Sequence, residues 1–199
     1  MIKQSIYILS LIALVITTLI VSAGCSEKQK VDEVETTTPA NNQENSVIAV
    51  VSPEEAGLLP EEKAQPAPEW VMPDLQEKEI FSSEFLGKVV ILDFWDTWCP
   101  PCRKEIPGFV ELQDKYSDKG LVVIGAAFGR EGGDKVRAFA KKYKINYPTT
   151  FATPKVMQMF GGIQSIPTTF IIDRKGLVRG MHVGYVKKEV FEKEILALL

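Results

Sequence analysis

An apolar segment that ends in two closely spaced cysteines constrains the fold of this chain more than any other stretch. Apart from Asp93, Val89–Trp95 consists of apolar and β-branched residues, a pattern that predicts a strand buried on both faces of a sheet. The chain then reaches Cys99-Pro100-Pro101-Cys102, where a helix is predicted to begin. The helix dipole and the free backbone N–H groups at such a terminus favour a thiolate. A reactive thiol with a second thiol beside it predicts thiol–disulfide exchange.

Two other interpretations of the cysteine pair, a zinc site and an inert structural disulfide, fit the sequence less well. A structural zinc site needs four ligands, and the chain offers only one further cysteine, Cys25, and one histidine, His182. Cys25 precedes a predicted linker, so no metal site is expected. The buried strand that leads into Cys99 and Cys102 favours a reactive position at a strand end over an inert crosslink. The redox group predicted is therefore this disulfide, without a further cofactor.

The charge balance argues against nucleic acid as a partner. The 199 residues carry a net charge of −3, which gives no basic footprint for a phosphate backbone. Three cysteines are too few for a disulfide-rich scaffold. The length predicts one domain with appended segments.

Residues 1–25 predict export across a membrane. Residues 5–21 are almost wholly apolar and carry no charge, and they are followed by the small residues Ser22-Ala23-Gly24 and then by Cys25. This arrangement resembles a bacterial lipoprotein signal, in which the cysteine is lipidated, although Leu is usual at the position of Ser22. An uncleaved membrane anchor and an ordinary secretory signal remain alternative interpretations. Each of them predicts that the rest of the chain lies outside the cytoplasm.

Residues 26–68 are predicted to be a flexible tether, and residues 69–199 the folded domain. The tether is rich in Glu, Gln, Asn, Thr and Pro and poor in aromatic residues, so it is expected to bury too little apolar surface to offset the entropy of ordering. Residues 47–51 are a strand-like exception. We expect them to form a transient apolar patch, with packing on the domain edge or contact with a partner as alternatives.

Residues 69–199 show the alternation of strand and helix patterns that is typical of an α/β domain. The predicted elements, in chain order, are a short hairpin at 74–80, a helical turn at 82–87, a strand at 89–95, a helix at 101–117 that is kinked at Pro107, a strand at 121–128, a helix at 134–144, a strand at 147–151, a helix at 155–160, hairpin strands at 168–172 and 177–183, and a helix at 187–199. This alternation predicts a mostly parallel sheet with helices on both faces.

Two short motifs together resemble those of thioredoxin-like proteins. They are FWDTWCPPC at residues 94–102 and SIPTTF at residues 165–170. With the extra helix and strand between residues 134 and 151, the domain resembles the membrane-tethered thioredoxin-like reductases of the TlpA/ResA type. The resemblance implies a thioredoxin-like fold, with a central mixed sheet, helices on both faces and a central helix and strand insertion. It also implies a dithiol–disulfide oxidoreductase outside the cytoplasm, often one that serves cytochrome c maturation.

Cys99 is the candidate nucleophile, because it lies nearer the strand end and is expected to be the more exposed cysteine. Cys102, one helical turn later, is expected to resolve the mixed disulfide by attacking the Cys99 sulfur. Pro100 and Pro101 have no N–H to donate, which leaves the backbone N–H of Cys102 as the donor to a Cys99 thiolate. We therefore expect a lowered pKa for Cys99, without the extreme stabilisation found in a strong oxidant.

Two acids are candidates for proton transfer with Cys102. Asp93 interrupts the apolar strand and matches the buried acid of thioredoxin, whereas Glu105 shares a helix face with Cys102 and matches the buried acid of the TlpA/ResA type. A carboxyl group desolvated beneath the disulfide would have a raised pKa and would shuttle a proton to or from Cys102. Which of the two serves is left open, and a solvated Glu105 paired with Arg103 or Lys104 is the alternative.

The second motif predicts a cis peptide bond between Ile166 and Pro167, because the resemblance implies a cis-proline loop opposite the two sulfurs. The exposed backbone of this loop would pair with the extended chain of a substrate. Trp98 is expected to flank the site as a contact surface, and Trp95 to lie in the core. His182 is expected to be structural.

The leading functional hypothesis is a monomeric, membrane-tethered reductase that reduces disulfides in exported proteins and is kept reduced by a membrane electron donor. An oxidant or isomerase of the same fold is an alternative, although oxidants usually carry a histidine between the cysteines. A thiol peroxidase is disfavoured because Asp96 stands three residues before Cys99, where that chemistry typically uses Thr. A haem- or apocytochrome-binding chaperone with idle sulfurs is an alternative of a different class.

Overall fold

Eight strands and four helices succeed one another along residues 51–199, the part of the chain that the computed structural model describes. The strands are β1 (Gln65–Pro66), β2 (Val71–Pro73), β3 (Glu79–Phe81), β4 (Val89–Trp95), β5 (Leu121–Ala127), β6 (Thr149–Phe151), β7 (Thr168–Ile172) and β8 (Leu177–Val183). The helices are α1 (Pro100–Tyr116), α2 (Gly133–Lys142), α3 (Pro154–Met159) and α4 (Lys188–Leu196). The bounds of β4, β7 and β8 are those predicted from the sequence.

Six strands form one mixed sheet in the order β1-β8-β7-β4-β5-β6, and β2 pairs with β3 separately. β5 runs parallel to both β4 and β6, whereas every pairing of β7 or β8 is antiparallel. The prediction of a mostly parallel sheet is therefore wrong, because the tight turn after Asp173 reverses the chain between β7 and β8. The backbone N–H of Gly176 closes this turn by donating to the Asp173 carbonyl oxygen at 2.9 Å. The mixed sheet implied by the thioredoxin-like resemblance is confirmed.

The central insertion lies between β5 and β7. Its helix α2 follows the loop after β5, and its strand β6 extends the sheet by pairing with β5. The chain then forms α3 before it enters β7. The insertion therefore widens the sheet on the side away from β8.

β4 is the buried centre of the sheet, and its alternate side chains divide between the two faces. All seven of its residues are buried. Leu92 and Phe94 pack in the apolar cluster that includes α3, whereas Ile91 and Trp95 pack in clusters that include residues of α1. Asp93 alternates with Leu92 and Phe94, so its carboxyl group lies on the α1 face of the sheet.

Residues 51–68 are part of the folded domain, which corrects the predicted end of the tether at residue 68. Ala56 and Leu58 are buried in the core, and β1 pairs with the start of β8. The backbone N–H of Leu59 donates to the Arg179 carbonyl oxygen, and the Arg179 side chain donates back to the Leu59 carbonyl oxygen, each at 2.7 Å. This polar segment is ordered because its few apolar side chains find partners far along the chain. We call residues 51–66 the N-terminal strap.

The remaining N-terminal predictions lie outside the described residues. They are the signal or anchor at 1–25, which includes Cys25, and the tether over 26–50. Of the strand-like stretch at 47–51, Val51 alone is described, and it packs half-buried against the core. Within residues 51–199, no helix is both long and apolar enough to cross a membrane.

Candidate active site

The cysteine pair lies where β4 gives way to α1, as the sequence predicts. Cys99 is the N-cap residue of α1, and a disulfide joins it to Cys102 across a Cα–Cα distance of 5.3 Å. Both residues are buried, and Cys99 keeps 2% of its surface exposed while Cys102 keeps none. Cys99 is thus the more exposed cysteine by a narrow margin in this oxidised state.

The first turn of α1 provides one backbone donor to the Cys99 sulfur. The N–H of Cys102 points at Cys99 Sγ, with the nitrogen 3.3 Å from the sulfur. Pro100 and Pro101 occupy the first helical positions and carry no N–H. Reduction of the disulfide would therefore leave a thiolate at Cys99 with this one donor and the positive end of the helix dipole.

The cis-proline loop lies against the disulfide. The Ile166–Pro167 peptide bond is cis, as the second motif predicts. The carbonyl oxygen of Ile166 is 3.6 Å from Cys99 Sγ, so this backbone borders the sulfur that a substrate must reach. The Gly184 N–H donates to the Pro167 carbonyl oxygen at 2.8 Å and connects the loop to the end of β8.

Glu105 is buried beneath the cysteine pair, one helical turn after Cys102. It is 4% exposed, and its Oε1 accepts a hydrogen bond of 3.0 Å from the backbone N–H of Val186. Its Oε2 is buried without a hydrogen-bond partner among the described residues. Burial raises the pKa of Glu105 to about 7, against the opposing effects of the Val186 N–H and of the charge on His182.

The alternative of a solvated Glu105 paired with a neighbouring cation does not hold. Arg103 donates instead to the hydroxyl of Tyr143, and the Lys104 ammonium lies over the Tyr185 ring, 4.2 Å from its centroid. Both cations therefore reach outward from α1, and the Glu105 carboxyl group stays in the interior.

Asp93 is the second buried acid on this face of the sheet. It is 1% exposed, and the Thr169 hydroxyl on β7 donates to its Oδ1 at 3.1 Å. Burial, and after it the charge of Glu105, raises the pKa of Asp93 well above its ordinary value. The Glu105 charge thus acts on Asp93, and burial makes each acid hold a proton more tightly than in water.

The two tryptophans are placed as predicted. Trp95 is fully buried, whereas Trp98 is 44% exposed in the loop that leads to Cys99.

His182, expected to be structural, forms an ion pair in which its Nε2 lies 2.9 Å from the buried Glu194 carboxylate of α4. This contact is the main cause of a raised His182 pKa, and the His182 charge in turn acts on Glu105.

Two polar groups near the cysteines were missed by the sequence analysis. One is the Val186 backbone N–H that faces Glu105, which only the fold brings near α1. The other is Asp96, whose carboxylate is fully buried and hydrogen-bonded to Trp98 and to the loop after β5. The sequence signal that was available for Asp96 is its position as an acidic residue between the two tryptophans of the motif. Within residues 51–199, no group of three or more His, Cys, Asp or Glu side chains is arranged to hold a metal ion.

Comparison with known proteins assigns the domain. Residues 64–181, more than half of the chain, match the AhpC/TSA family. The chain belongs to the AhpC/TSA family. The chain is also 32% identical over 145 residues to the thioredoxin-like protein YneN of Bacillus subtilis (strain 168), covering 72% of this chain and 83% of that protein.

Relatives named for thiol–disulfide chemistry are similarly close. The thiol-disulfide oxidoreductase ResA of Bacillus thuringiensis subsp. konkukian is 38% identical over 127 residues, covering 64% of this chain and 73% of that protein. The crystal structure of a thiol:disulfide interchange protein of the thioredoxin family from Chlorobium tepidum TLS superposes with a TM-score of 0.63 at 37% identity, covering 68% of this chain and 97% of that one. With its paired cysteines, this AhpC/TSA member is a thioredoxin-like thiol–disulfide oxidoreductase of the ResA type.

Proposed function

We propose that this oxidoreductase acts outside the cytoplasm, where it reduces disulfides in exported proteins, apocytochrome c among them. The observation that carries the proposal is the buried Glu105, with a pKa of about 7, one turn below Cys102. A group of that pKa exchanges protons near neutral pH, which is what the resolving step of a dithiol reductase requires.

The reaction transfers two electrons from the protein dithiol to the substrate disulfide. The Cys99 thiolate attacks one substrate sulfur, and the other substrate sulfur leaves as a thiolate, which takes a proton from water. The Cys102 thiol then passes its proton to the Glu105 carboxylate and attacks Cys99 Sγ. The substrate sulfur that is bonded to Cys99 leaves and takes the proton from Glu105, and the Cys99–Cys102 disulfide forms.

The dipeptide between the cysteines supports the proposed direction of the reaction. Pro100 and Pro101 offer no N–H to the Cys99 sulfur, so the reduced form gains less stabilisation than in a strong oxidant. A histidine in that dipeptide, common in oxidants of this fold, is absent from this chain. We propose that a membrane electron donor returns the disulfide to the dithiol.

The proposed location is the outer side of a bacterial membrane, with a monomeric domain held by its N-terminus. Support comes from the uncharged apolar residues 5–21 and from the small residues that lead to Cys25, the proposed lipidation site. Labelling with a radioactive fatty acid tests this part directly. Label that persists in a Cys25→Ser variant would contradict lipidation at that residue.

The reduction potential of the Cys99–Cys102 pair tests the direction. The protein is equilibrated with glutathione or dithiothreitol buffers, and the oxidised fraction is measured by alkylation of free thiols. A potential of about −270 mV or lower is expected for a reductase, whereas a value near −120 mV would make the protein an oxidant. A Cys99→Ser variant is the control, since it cannot form the disulfide.

Variants of the two cysteines separate an enzyme from a binding module. A Cys102→Ser protein is expected to accumulate a mixed disulfide with a protein substrate, because nothing resolves the bond at Cys99. A haem- or apocytochrome-binding chaperone with idle sulfurs would instead bind its ligand equally well in the Cys99→Ser variant and in the unmodified protein.

A further inference from the structure

Asp96 presents an unusual balance of burial and hydrogen bonding beside the active site. Its side chain is fully buried, yet its carboxylate has donors at both oxygens. Oδ1 accepts from the Thr97 backbone N–H at 2.7 Å, and Oδ2 accepts from Trp98 Nε1–H at 2.9 Å and from the Arg130 backbone N–H at 3.1 Å. A buried carboxylate is costly unless it is satisfied in this way.

These hydrogen bonds connect the loop that leads into Cys99 to the loop after β5. One loop, residues 96–98, links β4 to Cys99, and the other begins after β5 and includes Arg130 and Glu131. The Thr97 hydroxyl adds a second connection by donating to Glu131 Oε2 at 2.8 Å, with Asp96 Oδ1 a weaker acceptor at 3.3 Å. The backbone N–H of Cys99 completes the turn by donating to the Asp96 carbonyl oxygen at 3.2 Å.

The consequence for Trp98 is a fixed position at the surface. Its indole is held at the edge by Asp96 Oδ2, and the Arg130 guanidinium lies over its face, 5.6 Å from the ring. The guanidinium is also 5.8 Å from the Phe128 ring. An exposed aromatic side chain beside a reactive sulfur, restrained at edge and face, is suited to contact a second polypeptide with little loss of side-chain entropy.

We propose that Asp96 is a positioning residue for substrate docking, which holds Trp98 and Arg130 as one contact surface next to Cys99. The inference rests on the proposed reduction of protein disulfides. The partner it fits is an extended polypeptide whose side chain next to the cysteine packs on the indole. A small disulfide such as glutathione disulfide reaches the sulfur without needing this surface in place.

An Asp96→Asn variant tests the proposal at nearly constant volume. Asparagine offers one oxygen and one NH2 group, so it cannot accept from donors on both sides as the carboxylate does. With insulin as the protein disulfide, the KM is expected to rise on the order of tenfold, since one bond to a charged group is lost. With glutathione disulfide, kcat/KM should stay within about twofold of the unmodified enzyme, a difference that a purely structural defect would not produce.

Thr97→Val is the matched control in the same loop. It removes the hydroxyl that donates to Glu131 but keeps every donor to Asp96 Oδ2, so the KM for insulin should stay near that of the unmodified enzyme. An equal rise in this control would overturn the proposal, because loop disruption alone would then account for the effect.

A Trp98→Phe variant keeps the proposal testable should Asp96→Asn fold poorly. It removes the indole donor from an exposed position. It is expected to raise the KM for insulin but not that for glutathione disulfide. When both single variants fold, their double variant should show no additional rise, since the two residues act through one contact. Additive effects, or an indole N–H resonance of Trp98 that does not shift in Asp96→Asn, would contradict the inference.

The two proposals can fail separately. If the unmodified protein reduces glutathione disulfide but not insulin, the proposed reduction of protein disulfides fails. If it reduces both and Asp96→Asn leaves the insulin KM unchanged, the positioning role of Asp96 fails while the proposed function stands.

Discussion

A carboxyl group that loses its water on folding holds its proton more tightly, and Glu105 and Asp93 both show this effect near the disulfide. They differ in their partners. Asp93 accepts a hydrogen bond from the Thr169 hydroxyl. One oxygen of Glu105 accepts a hydrogen bond from a backbone N–H, and the other has no partner among the described residues. We propose that Glu105 rather than Asp93 serves Cys102, because it lies one helical turn after that residue and its pKa of about 7 allows proton exchange near neutral pH.

A Glu105→Gln variant should be more stable than the unmodified protein above neutral pH. The pKa of Glu105 is raised from 4.5 to about 7, so the folded state binds a proton more tightly than the unfolded state. Stability is then lost as pH rises from 4.5 to 7, by roughly 3 kcal/mol in all. Glutamine stays neutral and should show no such loss.

Urea unfolding of the oxidised proteins at pH 5 and pH 8 measures this difference. Glu111→Gln is the control, because Glu111 lies on the same helix with its side chain 63% exposed. An equal pH dependence in Glu105→Gln and in the unmodified protein would mean that Glu105 does not carry the raised pKa.

At the level of single residues, the sequence predicted the two cysteines, the cis-proline and both buried acids. These residues belong to motifs in which the local pattern already indicates the chemistry. The sequence did not predict the hydrogen bonds of Asp96, because one donor, the Arg130 backbone N–H, belongs to another loop. Such a contact depends on which loops meet at the sheet edge, and no local spacing encodes that.

Among the elements, β8 contacts both a segment that precedes it in the chain and a helix that follows it. The strap pairs with its beginning, and α4 contacts it through the ion pair between His182 and Glu194. The His182 ring also packs edge-on against Phe191 of α4, with centroids 5.3 Å apart. Since Glu105 accepts from Val186 just after β8, the position of this strand also affects the acid beneath the disulfide.

A Glu194→Gln variant should destabilise the protein more at low pH than at high pH. The hydrogen bond with Glu194 raises the pKa of His182 above 6.5, so the ion pair stabilises the fold fully below that value. The contribution is lost as pH rises through the folded pKa. We expect a loss of roughly 1–3 kcal/mol at pH 5.5 and a smaller one at pH 9.

Thermal or urea unfolding at the two pH values distinguishes this ion pair from packing. A loss of equal size at both would show that Glu194 acts through its volume rather than its charge.

The main strands and helices followed from hydrophobic patterns, and three strand bounds were predicted without error. The folded structure of the strap was not predicted, because its composition resembles that of a linker. The strap is ordered by the burial of Ala56 and Leu58 in the core cluster that includes Phe191, and by the hydrogen bonds between Leu59 and Arg179. Phe191 and Arg179 lie more than a hundred positions later in the chain. Composition over a short window cannot reveal such distant partners.

For the whole molecule, the strap determines where the domain begins. A fragment of residues 69–199 should be less stable than one of residues 51–199 by about 3 kcal/mol or more, since burial of one Leu side chain alone is worth roughly 1.5–3 kcal/mol. The shorter fragment also loses β1 and the hydrogen bonds between Leu59 and Arg179. Urea unfolding of the two fragments measures the difference.

Equal stability of the two fragments would return the boundary to residue 69. The reduction potential is worth measuring in both, because a change confined to the shorter fragment would show that the strap supports the active site as well as the fold.

The strap also determines how the domain carries a mechanical load. β1 and Leu59 are attached at the start of β8, the end of the sheet where β4 begins, whereas Cys99 follows the other end of β4. A pull on the chain before Val51 therefore meets the buried Ala56 and Leu58, and then the hydrogen bonds to β8, before it reaches the central strand. The strap would therefore yield before tension reached the disulfide. In a domain pulled by its N-terminus, the active site would keep its structure.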